Sequence, residues 1–165
     1  MTGSSWRRAF ETIVATLDYP MFIVTTASEG RRAGCLVGFG TQTSIDPPRM
    51  LVGISRTNHT YRLARAAPAL AVHFPTAGQV ALAELFGGET GDEVDKFARC
   101  EWHEGPRGMP LLSACPSWLV GLVAERVDIG DHVGFVLDVV AARHGDRAAR
   151  LTFQQVRHIE AGHGP

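Results

Sequence analysis

Three short polar stretches of the sequence combine residue types that could bind or transform a small molecule. The first, Gly38–Ser44, places two glycines and four hydroxyl or amide side chains within seven residues. Glycine weakens a strand interior and usually marks a bulge or a close approach of a ligand to the backbone. The N–H groups of this stretch, with Thr41, Gln42, Thr43 and Ser44, could donate to the carbonyls and ring nitrogens of a flat heterocycle. A bulged edge strand that closes a barrel explains the same glycines, and both interpretations stay open.

The second stretch runs from Ser55 to Arg62, where a predicted strand opens directly into a predicted helix. Amide, hydroxyl and guanidinium groups within one turn are suited to binding a phosphate group. Simple capping of the helix by Thr57 or Asn58 is the alternative. Capping leaves the remaining polar side chains without a role, so the pattern favours a phosphate site.

The third stretch is Gly130-Asp131-His132, which separates two long apolar runs. A Gly-Asp pair at such a position is typical of a tight turn, and a histidine that begins a strand can be purely structural. Alternatively, His132 at the mouth of a barrel could contact a reducing substrate or transfer a proton near neutral pH.

Composition and known motifs exclude several classes of protein. A formal net charge of −1 argues against a nucleic-acid binder or a membrane-surface binder. The three cysteines include no C-x-x-C pair, which indicates a reducing compartment, and we expect a cytoplasmic protein without a signal peptide or membrane span. No dinucleotide fingerprint, P-loop, nucleophile elbow or zinc-ligand spacing occurs, so we expect no metal centre.

The elements that must position these stretches are short strands with small helices between them. A helix from Ser4 or Ser5 to about Leu17 should dock through one apolar face. Helices are also predicted after Asn58, over Gln79–Phe86 and as a turn over Asp92–Ala98, whereas Trp102–Gly108 reads as irregular. The predicted strands are Met21–Thr26, Gly34 onward, Met50–Arg56, Ala69–Phe74, Trp118–Asp128, His132–Ala142 and Leu151–Phe153.

Close turns and the absence of regular long helices between strands predict a mainly β fold with short helices, a closed antiparallel barrel. A parallel βαβ sheet would need long crossover helices, which the pattern lacks. We find no internal repeat or linker and expect one domain over residues 1–165.

Five features in a fixed order resemble the flavin reductase-like family of FMN-binding split-barrel proteins. They cover the chain from about Tyr19 to Ala142, and the S-x-D-P-P closure and the G-D-H turn are the most specific. The five are Thr25-Thr26 with the turn at Gly30, Gly34–Ser44 closed by Ile45-Asp46-Pro47-Pro48, the Ser55–Thr60 turn, Asp95-Lys96-Phe97 and Gly130-Asp131-His132.

The resemblance implies a homodimeric FMN-binding split β-barrel of the Greek-key antiparallel type, with the flavin near the subunit interface. The flavin would be FMN, with FAD as the other option, and NADH or NADPH would reduce it by hydride transfer to flavin N5. His132 would lie where the nicotinamide approaches. The cofactor contacts implied by position are Gly40, Thr41, Gln42, Thr43 and Ser44 at the isoalloxazine ring, Ser55, Arg56, Asn58 and Thr60 at the phosphate side, and Lys96 and Phe97 nearby.

The chain also departs from the family's usual pattern. It has Gly38-Phe39-Gly40 where typical members carry a polar pair before the aromatic residue, and this variant is similar to the flavoredoxin-like branch. The leading hypothesis is therefore an FMN-dependent NAD(P)H:flavin oxidoreductase, which could serve a partner monooxygenase or redox protein. The alternative is an FMN-binding electron carrier without its own nicotinamide site. A barrel for another planar ligand, such as a deazaflavin or haem, is the third hypothesis.

Overall fold

The protein is described here by a computed structural model that covers residues 3–164, with side chains from Ser5 onward. The helices are α1 (Gly3–Thr16), α2 (His59–Ala64), α3 (Val80–Gly88) and α4 (Phe153–Val156). The strands are β1 (Phe22–Ser28), β2 (Arg31–Val37), β3 (Gly40–Ser44), β4 (Arg49–Ser55), β5 (Ala69–His73), β6 (Trp102–Glu104), β7 (Pro110–Leu112), β8 (Trp118–Asp128) and β9 (His132–Arg143). The predicted antiparallel β fold is confirmed.

The first two strands form the hairpin that the sequence predicts. Ser28 pairs with Arg31, and the two residues between them, Glu29 and Gly30, have φ angles of 52° and 75°. Both lie in the left-handed region, which a two-residue hairpin turn of the primed type requires. The turn therefore fixes the register that brings Thr25 opposite Gly34.

Seven strands form one antiparallel sheet in the order β2-β1-β5-β8-β9-β4-β3. Strands β2 and β3 stand at opposite ends of this order, yet only Gly38 and Phe39 separate them in the chain. Two residues can bridge at most roughly 11 Å between flanking Cα atoms, so the sheet must curl until its two edges meet. We call the meeting point of β2 and β3, at Gly38-Phe39, the seam of the barrel.

Alternate residues of the strands fill the barrel interior, as the period of two requires. The interior cluster is almost entirely aliphatic and aromatic, and its centre is fully buried. Its members come from six strands and helix α2, and they include Phe22, Val24, Val37, Val52, Ile54, Leu70, Val72, Phe135 and Leu137.

A second layer covers the outside of β1. It consists of α3, a short 3₁₀ turn at Lys96–Ala98 and the β6–β7 hairpin. The buried His73 joins this layer to the sheet, because its Nδ1 lies 2.9 Å from the Ile23 carbonyl oxygen and its Nε2 accepts from the Leu112 N–H at 3.0 Å. Burial lowers the pKa of His73 to about 4, so the ring is neutral and makes both bonds.

Three local predictions are wrong. Trp102–Gly108 is not irregular, because Trp102–Glu104 pairs with Pro110–Leu112 across a 3₁₀ turn. Leu151–Phe153 is not a strand, since a capping box between Thr152 and Gln155 starts α4 at Phe153. Helix α3 continues to Gly88, two residues beyond its predicted end at Phe86.

Helix α1 forms as predicted, but its apolar face does not dock within the chain. The large side chains of that face are 36–61% exposed; they are Trp6, Phe10, Ile13, Val14 and Leu17. None of the helices within residues 3–164 is long and apolar enough to cross a membrane.

Candidate functional site at the barrel seam

A cavity of about 200 Å³ opens where the edges of the barrel meet. One wall is the backbone of the seam, and the other is formed by the ends of β4 and β9 with the turn that follows β4. The cavity is lined by Tyr19, Met21, Cys35, Leu36, Val37, Gly38, Phe39, Gly53, Ser55, Asn58, His132, Phe153 and His163. We call it the seam cleft.

Glycines allow the backbones around the seam to approach closely. A Cβ atom on Gly38 would lie 2.8 Å from the Tyr19 ring, and one on Gly53 would lie 3.1 Å from Phe39 Cβ. The Gly53 N–H also donates to the Phe39 carbonyl oxygen at 2.7 Å. The seam therefore presents mostly backbone and one aromatic ring to the cleft.

The Gly40–Ser44 stretch forms the edge strand β3 and lies outside the seam cleft of a single chain. Its register with β4 shifts between Gln42 and Ser44, which confirms the bulged-edge interpretation. Thr41, Gln42 and Thr43 are exposed. Packing explains the glycine at position 40, because a Cβ atom there would lie 2.7 Å from the Phe22 ring.

The turn after β4 carries a local network of hydrogen bonds. The hydroxyl oxygens of Ser55 and Thr57 are 3.0 Å apart, and the Thr57 N–H donates to Ser55 Oγ at 3.3 Å. Asn58 caps α2 by accepting from the Thr60 N–H at 2.8 Å, so the capping prediction is confirmed. Ser55 and Asn58 nevertheless face the seam cleft.

Arg56 points from this turn to the neighbouring β8–β9 turn. Its Nη2 lies 3.1 Å from an Asp128 carboxylate oxygen, and its Nε donates to the Gly130 carbonyl at 3.2 Å. The Gly130 N–H, which donates to the Asp128 carboxylate, and the Arg56 guanidinium together hold the pKa of Asp128 below its usual range. Arg56 thus ties together the two turns that flank the cleft.

His132 begins β9 directly opposite Ser55. Its Nδ1 lies 2.6 Å from an Asp131 carboxylate oxygen, a hydrogen bond that lowers the pKa of Asp131. Because an ionised carboxylate only accepts, Nδ1 carries the proton and Nε2 is left to contact a ligand. The imidazole packs on the Phe39 ring with centroids 4.8 Å apart.

A second cavity of about 170 Å³ adjoins the seam cleft and shares five lining residues with it, Met21, Leu36, Asn58, Phe153 and His163. Lys96 lines this cavity, although its side chain is almost fully buried and Nζ donates to the carbonyls of Gly34 and Phe86 at 3.0 and 2.9 Å. Burial lowers the pKa of Lys96. The two hydrogen bonds of Nζ hold the 3₁₀ turn against β2 and α3.

Two further predicted cofactor contacts, Phe97 and Thr60, are buried against neighbouring side chains. Phe97 makes edge contacts with the rings of Phe86 and Trp102. Thr60 is 1% exposed and its hydroxyl bonds to Cys35, whose pKa burial raises to about 11. Of the predicted site residues, Ser55, Asn58 and His132 thus meet in the seam cleft, and Lys96 lies in the adjoining cavity.

Sequence reasoning missed two features of the site. Asp92 accepts both Arg62 Nη groups at 2.7 and 2.8 Å and lies 3.0 Å from His59 Nδ1, which ties α2 to the loop before Lys96 and lowers the pKa of Asp92. The other is His163, from the end of the chain. Neither has a sequence signal, because both depend on contacts between distant segments.

The residues of the seam cleft fit a flavin. Flat ligands bind in slots with apolar walls and a few polar groups that fix orientation. The cleft supplies such walls from the seam backbone, Phe39 and Phe153, with a hydroxyl, an amide and two imidazoles at its rim. Among residues 3–164, no cluster of three His, Cys, Asp or Glu side chains could hold a metal ion.

The antiparallel sheet that closes at the seam defines a split β-barrel. Residues 14–162 match the profile of the "Flavin reductase like domain" family, and the chain belongs to that family. The resemblance drawn from the sequence motifs is therefore confirmed.

Two sequence relatives and one solved structure are similar to this chain. The chain is 29% identical over 157 residues to FMN reductase (NADH) RutF of Ancylobacter novellus, covering 94% of this chain and 86% of the relative. It is 30% identical over 120 residues to the stachydrine N-demethylase reductase subunit Stc3 of Rhizobium meliloti, covering 72% and 51%. The NADH:FAD oxidoreductase SgcE6 of Streptomyces globisporus has the same fold, with a TM-score of 0.84, 22% identity and coverage of 95% and 94%.

Proposed function

We propose that this protein is a flavin reductase that uses NADH to reduce FMN. The observation that carries the proposal is the meeting of Ser55, Asn58 and His132 in the seam cleft of a chain from the flavin reductase-like family. The curated relative with NADH-dependent FMN reductase activity aligns over nearly the whole chain, which supports the enzyme. The alternative of an electron carrier without a nicotinamide site is not favoured.

Within the cleft, each group has a distinct role in the proposal. The seam backbone and Phe39 would contact the isoalloxazine ring, while Ser55 and Asn58 would bind the ribityl and phosphate side. When bound, FMN supplies the hydride acceptor at N5. His132, oriented by Asp131, would position the nicotinamide of NADH over the ring through Nε2.

The predicted contacts outside the cleft take supporting roles. Arg56 fixes the turn that carries Ser55, and Lys96 holds the loop that borders the adjoining cavity. Thr60 and Phe97 pack beneath them. FAD and NADPH remain within the proposal as the other flavin and the other nucleotide, because no group on the cleft selects between them.

We also propose that the functional unit is a homodimer. The β3 edge strand carries Gly40–Ser44 away from the cleft of its own chain, so a second copy could bring this polar edge to a shared flavin site. Exposed apolar side chains support an interface, since the α1 face is 36–61% exposed and Ile45 is 85% exposed. Pairing would also cover the exposed residues of strand β3.

The remaining parts of the proposal concern context. We propose that residues 1–165 form one domain. We also propose that the protein is cytoplasmic, since its three free cysteines are typical of a reducing compartment. One relative is the reductase subunit of a demethylase, which supports a role as a reductase component for a partner oxygenase.

Steady-state oxidation of NADH with added FMN tests the proposed activity. Wild-type protein should oxidise NADH, whereas His132→Ala should lose most of the rate and retain FMN binding. His103→Ala is the matched control, because His103 is an exposed histidine on β6 outside the cleft. Wild-type protein that binds FMN but oxidises neither NADH nor NADPH would contradict the proposal.

A further inference from the structure

The C-terminal tail, residues 157–164, crosses the end of α3 and stops at the Ser55–Thr60 turn. The Ile159 N–H donates to the Val156 carbonyl at 2.9 Å, and its side chain packs on Gly87 and Gly88. The Gly162 N–H donates to the Gly87 carbonyl at 3.3 Å. The tail is thus attached to the body of the protein at two successive points.

Gly162 determines how closely the tail can approach the loop after α3. A Cβ atom on Gly162 would lie 2.7 Å from the Glu89 carbonyl carbon and 2.8 Å from the Thr90 backbone nitrogen. Backbone cannot yield as a flexible side chain does, so only glycine allows this contact. The contact places the next residue, His163, directly at the turn.

His163 enters both cavities of the site. Its Nδ1 lies 3.1 Å from Thr57 Oγ1, and the same hydroxyl donates to the Gly164 carbonyl at 2.6 Å. The half-buried imidazole lines the seam cleft with Ser55 and Asn58. Within residues 3–164, Nε2 of His163 has no hydrogen-bond partner, which leaves it to contact a ligand.

The turn itself lacks a free charged donor. Arg56 is bound to Asp128 and the Gly130 carbonyl, and the hydroxyls of Ser55 and Thr57 bond to each other. A phosphate group binds best to charged or N–H donors. Because the Thr57 hydroxyl donates to the Gly164 carbonyl, His163 Nδ1 carries the proton, and Nε2 donates only when the ring is the charged imidazolium. In that form His163 supplies a charged donor at the position where the sequence predicts that Arg56 would.

We propose that His163 is a further flavin-binding residue, which the C-terminal tail presents to the phosphate side of FMN. The inference rests on the proposed function and deepens it. The tail lies across the end of α3, and its residues at the Ser55–Thr60 turn complete the contacts with the phosphate group. FMN and riboflavin, which differ by the phosphate group, separate this contact from binding of the ring.

The test compares the dissociation constants of FMN and riboflavin by fluorescence titration of wild-type and variant proteins. His163→Ala should weaken FMN binding about tenfold and leave riboflavin binding unchanged, as loss of one charge-assisted hydrogen bond predicts. Gly162→Val, which displaces the tail, should have the same effect. His163→Gln keeps an N–H donor and should recover part of the affinity.

His158→Ala is the matched control, because His158 is an exposed tail residue that pairs with Glu84 away from both cavities. It should bind FMN like wild type. The proposal is overturned if His163→Ala binds FMN as well as or better than wild type, or if FMN and riboflavin weaken equally. Wild-type protein that binds neither flavin would instead refute the proposed function.

Discussion

The imidazole of His132 packs against the ring of Phe39 across the mouth of the seam cleft, with centroids 4.8 Å apart and planes tilted by 57°. Phe39 belongs to the join between β2 and β3, whereas His132 begins β9. The contact therefore links the closing point of the barrel to the residue proposed to face the nicotinamide. Phe39 is 54% exposed, so its ring is available to a ligand.

Phe39→Ala should weaken FMN binding about fivefold with little loss of stability, because a stacked aromatic contact contributes about 1 kcal/mol and the ring is not part of the core. Phe39→Leu should lose less, since it keeps an apolar contact. Fluorescence titration with FMN measures the effect. Val127→Ala, a truncation of another partly exposed apolar residue, is the control, and equal FMN affinity in all four proteins would argue against a ring contact.

Gly40→Ala should lower the free energy of unfolding by about 1–3 kcal/mol, because the added Cβ would overpack the Phe22 ring. Gly78→Ala is the control, since the atom nearest its Cβ is 3.9 Å away. Urea denaturation of both variants measures the difference. Equal free energies of unfolding for the two variants would show that position 40 does not require glycine.

The stability of the protein should fall as the pH drops from about 6.5 toward 4 because of His73. Its pKa is about 4 in the folded protein, against 6.5 ordinarily, so only the unfolded chain binds the proton in that range. The contribution is complete above pH 6.5 and is lost as the pH falls, with a magnitude on the order of 3 kcal/mol.

Urea denaturation at pH 7 and pH 4.5 measures this loss. His73→Asn retains a donor and an acceptor but does not titrate, so its stability should change less between the two pH values. If His73→Asn lost as much stability as wild type between pH 7 and pH 4.5, protonation of His73 would not be the cause of the loss.

The protein should sediment as a dimer of 17.8 kDa protomers. Glutamate at both Phe10 and Ile13 should shift it toward monomer, because the change places charge on the exposed apolar face of α1. Arg8→Glu, also exposed on α1, is the control. Wild-type protein that sediments as a monomer with FMN bound would contradict the dimer.

Local patterns predicted most of the fold. Glycine and the polar residues beside it predicted the β1–β2 turn, and alternation predicted the long β8 and β9 strands. The sequence-based predictions were wrong where a contact with a distant segment of the chain determined the local structure. β6 exists because β7 pairs with it, and helix α3 continues through Gly87 where that glycine packs against Leu36.

The residues of the candidate site likewise fall into two groups, those that local sequence patterns predicted and those that depend on contacts between distant segments. Ser55, Asn58 and His132 were predictable because each follows or begins a strand end with a recognisable turn. Arg56 was expected at the phosphate side, but its orientation depends on Asp128, which lies 72 residues away in the chain. His163 carries no local pattern, and only the path of the tail over Gly87 and Thr90 brings it to the cleft.

Anaerobic mixing of the FMN-loaded protein with NADH tests the central claim most directly. The absorbance of the oxidised flavin should bleach rapidly on addition of NADH, and His132→Ala should slow the bleaching while FMN stays bound. Flavin that remains oxidised in the presence of both NADH and NADPH, yet is reduced by a partner reductase, would contradict it and identify an electron carrier.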